Sequence, residues 1–131
     1  MKKTFNLTTL LLLMFFICCN KAEDTTTSVN LNLVRKWILV ETLSDPGDGS
    51  GKWKPVSKPN YYFLQFNTDN SIESNIYPDL AGLRHYDIMN DSTVQFIYSS
   101  GIKVLMFYKL EGNSLTISGG CDEACGSKFI R

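Results

Sequence analysis

The chain has 131 residues, with 13 basic and 13 acidic side chains, 44% hydrophobic and 20% charged residues. That length and balance fit one compact domain and exclude a disordered or multidomain chain. A formal charge of zero and scattered basic residues exclude a nucleic-acid partner.

Met1-Lys2-Lys3 leads through Phe5 into the apolar run Leu10-Leu11-Leu12-Leu13-Met14-Phe15-Phe16-Ile17, a basic start and apolar stretch of export-signal length. A membrane-spanning helix needs about 20 apolar residues, and polar Asn20, Lys21, Glu23 and Asp24 arrive too soon for that. Residues 1–18 are therefore read as a cleaved signal peptide. The stretch Phe16-Ile17-Cys18-Cys19-Asn20 resembles the lipobox of a bacterial lipoprotein, whose terminal cysteine is acylated and becomes the first mature residue. The resemblance makes Cys19 the acceptor, with Cys18 as the alternative because Phe16 stands where the pattern has leucine. A thiol carries the acylated thioether, and two or three acyl chains, at about 0.8 kcal/mol per buried methylene, form a durable membrane anchor of the palmitate type. Lys21-Ala22-Glu23-Asp24 is similar to the export signal that carries lipoproteins of the Bacteroidota to the cell surface, with a plain charged tether as the alternative. The implied location is the outer membrane of the cell envelope, with surface exposure.

Removing residues 1–18 takes Lys2 and Lys3 and no acid, which leaves 11 basic against 13 acidic groups. Thr25-Thr26-Thr27-Ser28 continues a polar stretch without apolar periodicity, as a flexible leash does. The expected division is a lipidated cysteine and tether over 19–32 and a folded domain over 33–131.

From Leu33 onward short β-branched and aromatic runs alternate with turn clusters, which predicts strands rather than helices. The first strand is Arg35 to Leu43, followed by the glycine-rich loop Asp45 to Gly51, the short run Lys52-Trp53-Lys54-Pro55 and a second strand, Tyr61 to Phe66. Asn67-Thr68-Asp69-Asn70 supplies turn chemistry. Strands are expected over Ser71 to Ile76, Leu83 to Met89, Thr93 to Tyr98, Ile102 to Leu110 and Leu115 to Ser118, with Lys128 to Arg131 as a final edge. Alternation puts Tyr62, Leu64 and Phe66 on one face, as it does Val94, Phe96 and Tyr98, and Leu115 with Ile117. About eight antiparallel strands with no covering helix are best satisfied by closing into a small up-and-down barrel, which removes exposed edges, with an open sandwich as the alternative.

Cys121 and Cys125 are the cysteines left in the body, an even count in an exported chain, so a disulfide is the default reading. Four extended steps of about 3.3 Å exceed the reach of a bridge, roughly 4.4–6.8 Å between Cα atoms, so this segment must turn. A metal clip using Asp122, Glu123 and His85 is the alternative, although zinc sites are normally built on more cysteine and histidine than this. His85 without a partner nucleophile, and no G-x-S-x-G, give no support for a catalytic triad. Gly47-Asp48-Gly49-Ser50-Gly51 lacks the ending of a phosphate loop. The body is read as non-enzymatic, with no cofactor or metal.

Trp37, the turns Phe66 to Ser71 and Asn90-Asp91-Ser92, and the ending from Leu115-Thr116-Ile117 through Cys121-Asp122-Glu123-Ala124-Cys125 to Phe129 resemble the lipocalin-like domains of Bacteroidota lipoproteins. The resemblance implies a cup-shaped barrel that binds a small, often lipophilic molecule. Trp37, Phe66, Phe96 and Tyr108 are the candidates for the cup lining, and Trp53 and Tyr77, both beside loops, for its rim. The alternative function is a surface or periplasmic protein-interaction module with a solid core.

Overall fold

The computed structural model describes Asn30 and residues 32–131; the expected signal peptide, Cys18, Cys19 and most of the tether lie outside the described residues. The body is all β, with nine strands: β1 (Lys36–Ser44), β2 (Lys52–Pro55), β3 (Phe63–Phe66), β4 (Ile72–Ser74), β5 (Leu83–Asn90), β6 (Thr93–Tyr98), β7 (Lys103–Glu111), β8 (Ser114–Ser118) and β9 (Cys125–Ile130). Among the described residues no helix is long and apolar enough to cross a membrane.

All pairings are antiparallel, in the order β4-β3-β1-β9-β8-β7-β6-β5, with β2 also on β1. β2 and β3 share one edge of β1: Pro55 pairs with Glu41 and Phe63 with Ile38. They are thus two halves of a single stave, parted by the excursion 56–62, which is held by the Val56 amide donating to the Val40 carbonyl and the Leu39 amide to the Tyr62 carbonyl. Eight staves result, each next to its neighbour in sequence. The circle nearly closes at β4 and β5, where Ser71 bridges His85 and the Tyr86 amide donates to the Asn70 carbonyl at 2.9 Å. This seam is short because β4 has three residues against eight in β5.

The C-terminal strand corrects the expectation of an edge at Lys128 to Arg131. β9 starts at Cys125 and lies between β1 and β8, because the last stave must meet the first for the backbone groups of both to be satisfied.

Among the described residues sixteen buried hydrophobic ones, from Leu33 to Phe129, form one core, and no polar or charged residue is buried with them. Among the described residues the core is drawn from the barrel and its lead-in, as a unit able to fold by itself requires. The alternating positions behave as the period-two pattern requires: Leu64, Phe66, Val94, Phe96, Leu115 and Ile117 all point inward and are buried. At one end the aromatic tips reach turn carbonyls. Tyr86 donates to Asn67 at 2.8 Å, Tyr108 to Asn90 at 3.1 Å, and the Trp37 indole to Leu33 at 2.9 Å. Satisfying these polar groups lets large amphipathic rings fill a barrel floor. Phe66 packs edge-on against Tyr86, with centroids 4.9 Å apart.

Connections at this floor are short, 67–71, 91–92 and 112–113, whereas those at the other end run over 45–51, 75–82, 99–102 and 119–124. Gly112, at φ 58°, makes the two-residue β7–β8 hairpin affordable, since that turn class needs positive φ. In the 45–51 loop the Asp45 carboxylate accepts from the amides of Gly51, Gly47 and Gly49 at 2.8, 2.8 and 3.1 Å. These bonds hold its pKa below the ordinary aspartate range. Because the folded value is the depressed one, the contribution is present above the unfolded value of about 3.9 and is lost as pH falls through the folded one. We expect the Gly51 amide to lose hydrogen-exchange protection in that acid window and, in Asp45→Ala, at neutral pH as well; protection unchanged in the variant would contradict this account of the loop.

Candidate functional site

The long connections surround an open mouth. Between the strand ends lies a cavity of about 400 Å³, walled by Tyr98, Val104, Met106 and Ile117 from β6, β7 and β8, by Thr42 and Ser127 from β1 and β9, and by Leu80 from the 75–82 connection. The β7 and β8 wall residues follow from register. Tyr108 faces the core, so Met106 and Val104, two and four positions earlier, face inward nearer the mouth; Met106 pairs with Val94 and Val104 with Phe96. Ile117 pairs with Tyr108 and with Ser127, which continues the inner wall into β9.

The 75–82 connection folds across the opening. Ile76 and Leu80 are buried, and the Tyr98 hydroxyl donates to the Asp79 carbonyl at 3.1 Å. Burial, and then the Asp79 carboxylate, raise the pKa of the Tyr98 phenol above its usual value. Beyond Thr42 and Asp79, which border both spaces, a shallower cavity of about 350 Å³ opens against Lys54, Val56, Tyr62 and Tyr77. The mouth is thus two-lobed, one lobe joining the apolar Leu80, Val104, Met106 and Ile117 to the polar Thr42, Asp79 and Ser127, and the other bordered by Lys54. Among the described residues Lys54 has no ion-pair partner within 4.0 Å.

Cys121 and Cys125 sit on the rim of the first lobe at disulfide distance, with Cα atoms 6.2 Å apart. Closing so small a loop is worth about 2 kcal/mol on the chain-entropy estimate, so the bridge shapes the rim more than it holds the barrel. His85 is elsewhere, on the outer face of β5 and 3.6 Å from Asp87. The residues of the alternative metal clip are therefore not brought together, and no metal-binding group is found among the described residues.

The four expected lining aromatics are inside the barrel but below the cavity. Trp37, Phe66 and Phe96 are at most 1% exposed and Tyr108 is 5%; together they pack the floor, and none borders either lobe. The barrel interior needs its bulkiest rings where the short turns close it, which leaves the medium-sized Val104, Met106 and Ile117 to face the opening. Tyr77 does stand at the mouth, 84% exposed and on the second lobe. Trp53 does not: its register partner Leu43 also pairs with Gly126, and the indole lies on the outer wall over Gly126. A Cβ at that glycine would come within 2.9 Å of the ring. The Lys128 ammonium sits 4.6 Å from the Trp53 ring centre and also binds Glu41.

The wall residues missed by sequence reasoning, Leu80, Val104 and Met106, carried one readable signal: Val104 and Met106 share parity with Tyr108. Comparison of the chain with family models, curated proteins and solved structures finds no match in any of the three.

Proposed function

We propose that this chain is a lipid-anchored envelope lipoprotein whose barrel mouth holds a small apolar or amphipathic molecule without transforming it. The observation that carries the reading is the 400 Å³ lobe with its wall of Val104, Met106, Ile117, Leu80 and Tyr98, which falls in the size range and lining chemistry of small-molecule pockets. The lipobox resemblance at Cys19 supports the anchor and the outer-membrane location. The side-chain amide of Asn30, the first described residue, donates to the Tyr108 hydroxyl at the floor, the end opposite the mouth.

The alternative, a protein-interaction module on the surface or in the periplasm, draws on the solid floor and on Tyr77 at 84% exposure. A methyl-resolved NMR titration of the body, Asn20 to Arg131, with the neutral apolar dye N-phenyl-1-naphthylamine tests the ligand reading. Shifts at Val104, Met106 and Ile117 with Leu64 and Leu115 unmoved are expected. Shifts absent from those three side chains would contradict it.

A further inference from the structure

The outer wall carries a stripe unrelated to the mouth. On β7 the inward positions are Val104, Met106 and Tyr108, so Lys103, Leu105, Phe107 and Lys109 face out in that order. Leu105 is 56% exposed and Phe107 62%. A solvated sheet face normally alternates to polar residues, and here two large apolar side chains stand side by side with a lysine at either end. Their neighbours across the ladder carry no acid: Ile97 pairs with Lys103, Gln95 with Leu105, Thr93 and Ser118 with Phe107, and Thr116 with Lys109. By register the nearest carboxylates are at the margins. Glu111 is at the floor end, 2.7 Å from Lys109, and Asp87 pairs with Gln95 on the far strand, beside His85 at 3.6 Å.

We propose that this stripe docks the barrel sideways on an anionic lipid bilayer. Leu105 and Phe107 enter the interfacial zone, while Lys103 and Lys109, roughly 20 Å apart along the strand, bend their stems over the apolar pair and set their ammonium groups among acidic headgroups. Area selects this occupant over a second copy of the chain. Ile97, Leu105 and Phe107, the last two 56% and 62% exposed, fall short of the roughly 800 Å² per partner of a stable interface. Lys103, with no ion-pair partner within 4.0 Å among the described residues, is free to meet an acidic headgroup. The inference does not rest on the ligand reading, and the geometry of the anchor permits it. The eleven residue-to-residue steps from Cys19 to Asn30 would span at most about 36–40 Å, beyond the roughly 30 Å length of β7.

The test is co-sedimentation of the unlipidated body, Asn20 to Arg131, with vesicles of phosphatidylcholine and phosphatidylglycerol at roughly 3:1, against phosphatidylcholine alone. Binding to the anionic vesicles is expected, falling at least tenfold in L105S/F107S and in K103E/K109E, with the circular dichroism and unfolding midpoint of both variants confirming an intact barrel. No binding to anionic vesicles, or binding that neither variant weakens, would overturn the proposal. So would a dimer that F107S dissolves in the absence of any vesicle binding, which would assign the face to a second copy.

Discussion

Trp37→Ala is expected to cost the barrel about 3–5 kcal/mol, the range for truncating a buried tryptophan, against a total stability of about 5–15 kcal/mol for a domain of this kind. The residue is 1% exposed and pairs with Leu64 on β3. Its indole supplies the hydrogen bond to the Leu33 carbonyl at 2.9 Å, and the Arg35 guanidinium lies 5.6 Å from the ring centre. Truncation therefore opens a cavity in the floor, removes the carbonyl's donor and frees the lead-in segment together. Urea unfolding of wild type and variant by circular dichroism measures the difference. A loss below about 1 kcal/mol would mean that the floor is not the packed centre described above.

The second large effect is on binding rather than stability. Val104 and Ser127 enter the 400 Å³ lobe from β7 and β9, with β8 between them, and both are partly exposed. Replacing them by larger rings, V104W/S127F, fills space that the fold leaves open and displaces no floor residue. Naphthylamine dye binding is expected to weaken at least tenfold, about 1.4 kcal/mol, while the unfolding midpoint stays near wild type. Dye affinity unchanged in a folded variant would place the dye somewhere other than the mouth.

Why the floor was readable and the mouth was not comes down to range. Leu64 and Phe66, Val94 and Phe96, and Leu115 and Ile117 announce their inward face by alternation, a local property that closure of the sheet preserves. Turn chemistry at Asn67 to Asn70 and at Asn90 to Ser92 likewise fixes hairpins locally: the amides of Ser71 and Ser92 donate to the Asp69 and Asn90 side chains at 2.9 Å. Trp53 illustrates the limit. Its side of the sheet depends on how β2 registers with β1 beyond the irregularity between Leu39 and Glu41, and no feature of Lys52 to Pro55 reports that.

The cavity wall raises the same difficulty. The cup-shaped barrel reading put Trp37, Phe66, Phe96 and Tyr108 on the lining, but which end of the barrel is plugged depends on contacts from distant segments, such as Trp37 with Leu33 and Tyr86 with Asn67 at the floor, and Leu80 folded over the opposite end. The lengths of the connections carried part of the answer. Short turns at 91–92 and 112–113 share one end with the floor, and the connections 75–82 and 119–124 share the other with the cavity. The union of β2 and β3 into one stave was also beyond local pattern, since the excursion 56–62 parts residues that β1 aligns through Glu41 and Ile38.

Native mass spectrometry of the body, Asn20 to Arg131, after incubation with extracts of the producing cell's envelope tests the central claim most directly. A small-molecule adduct that survives gentle desolvation on the wild-type body, and is missing from V104W/S127F, is the predicted result. Bare mass alone for the wild type, or an adduct that V104W/S127F retains, would contradict a ligand held in the barrel mouth.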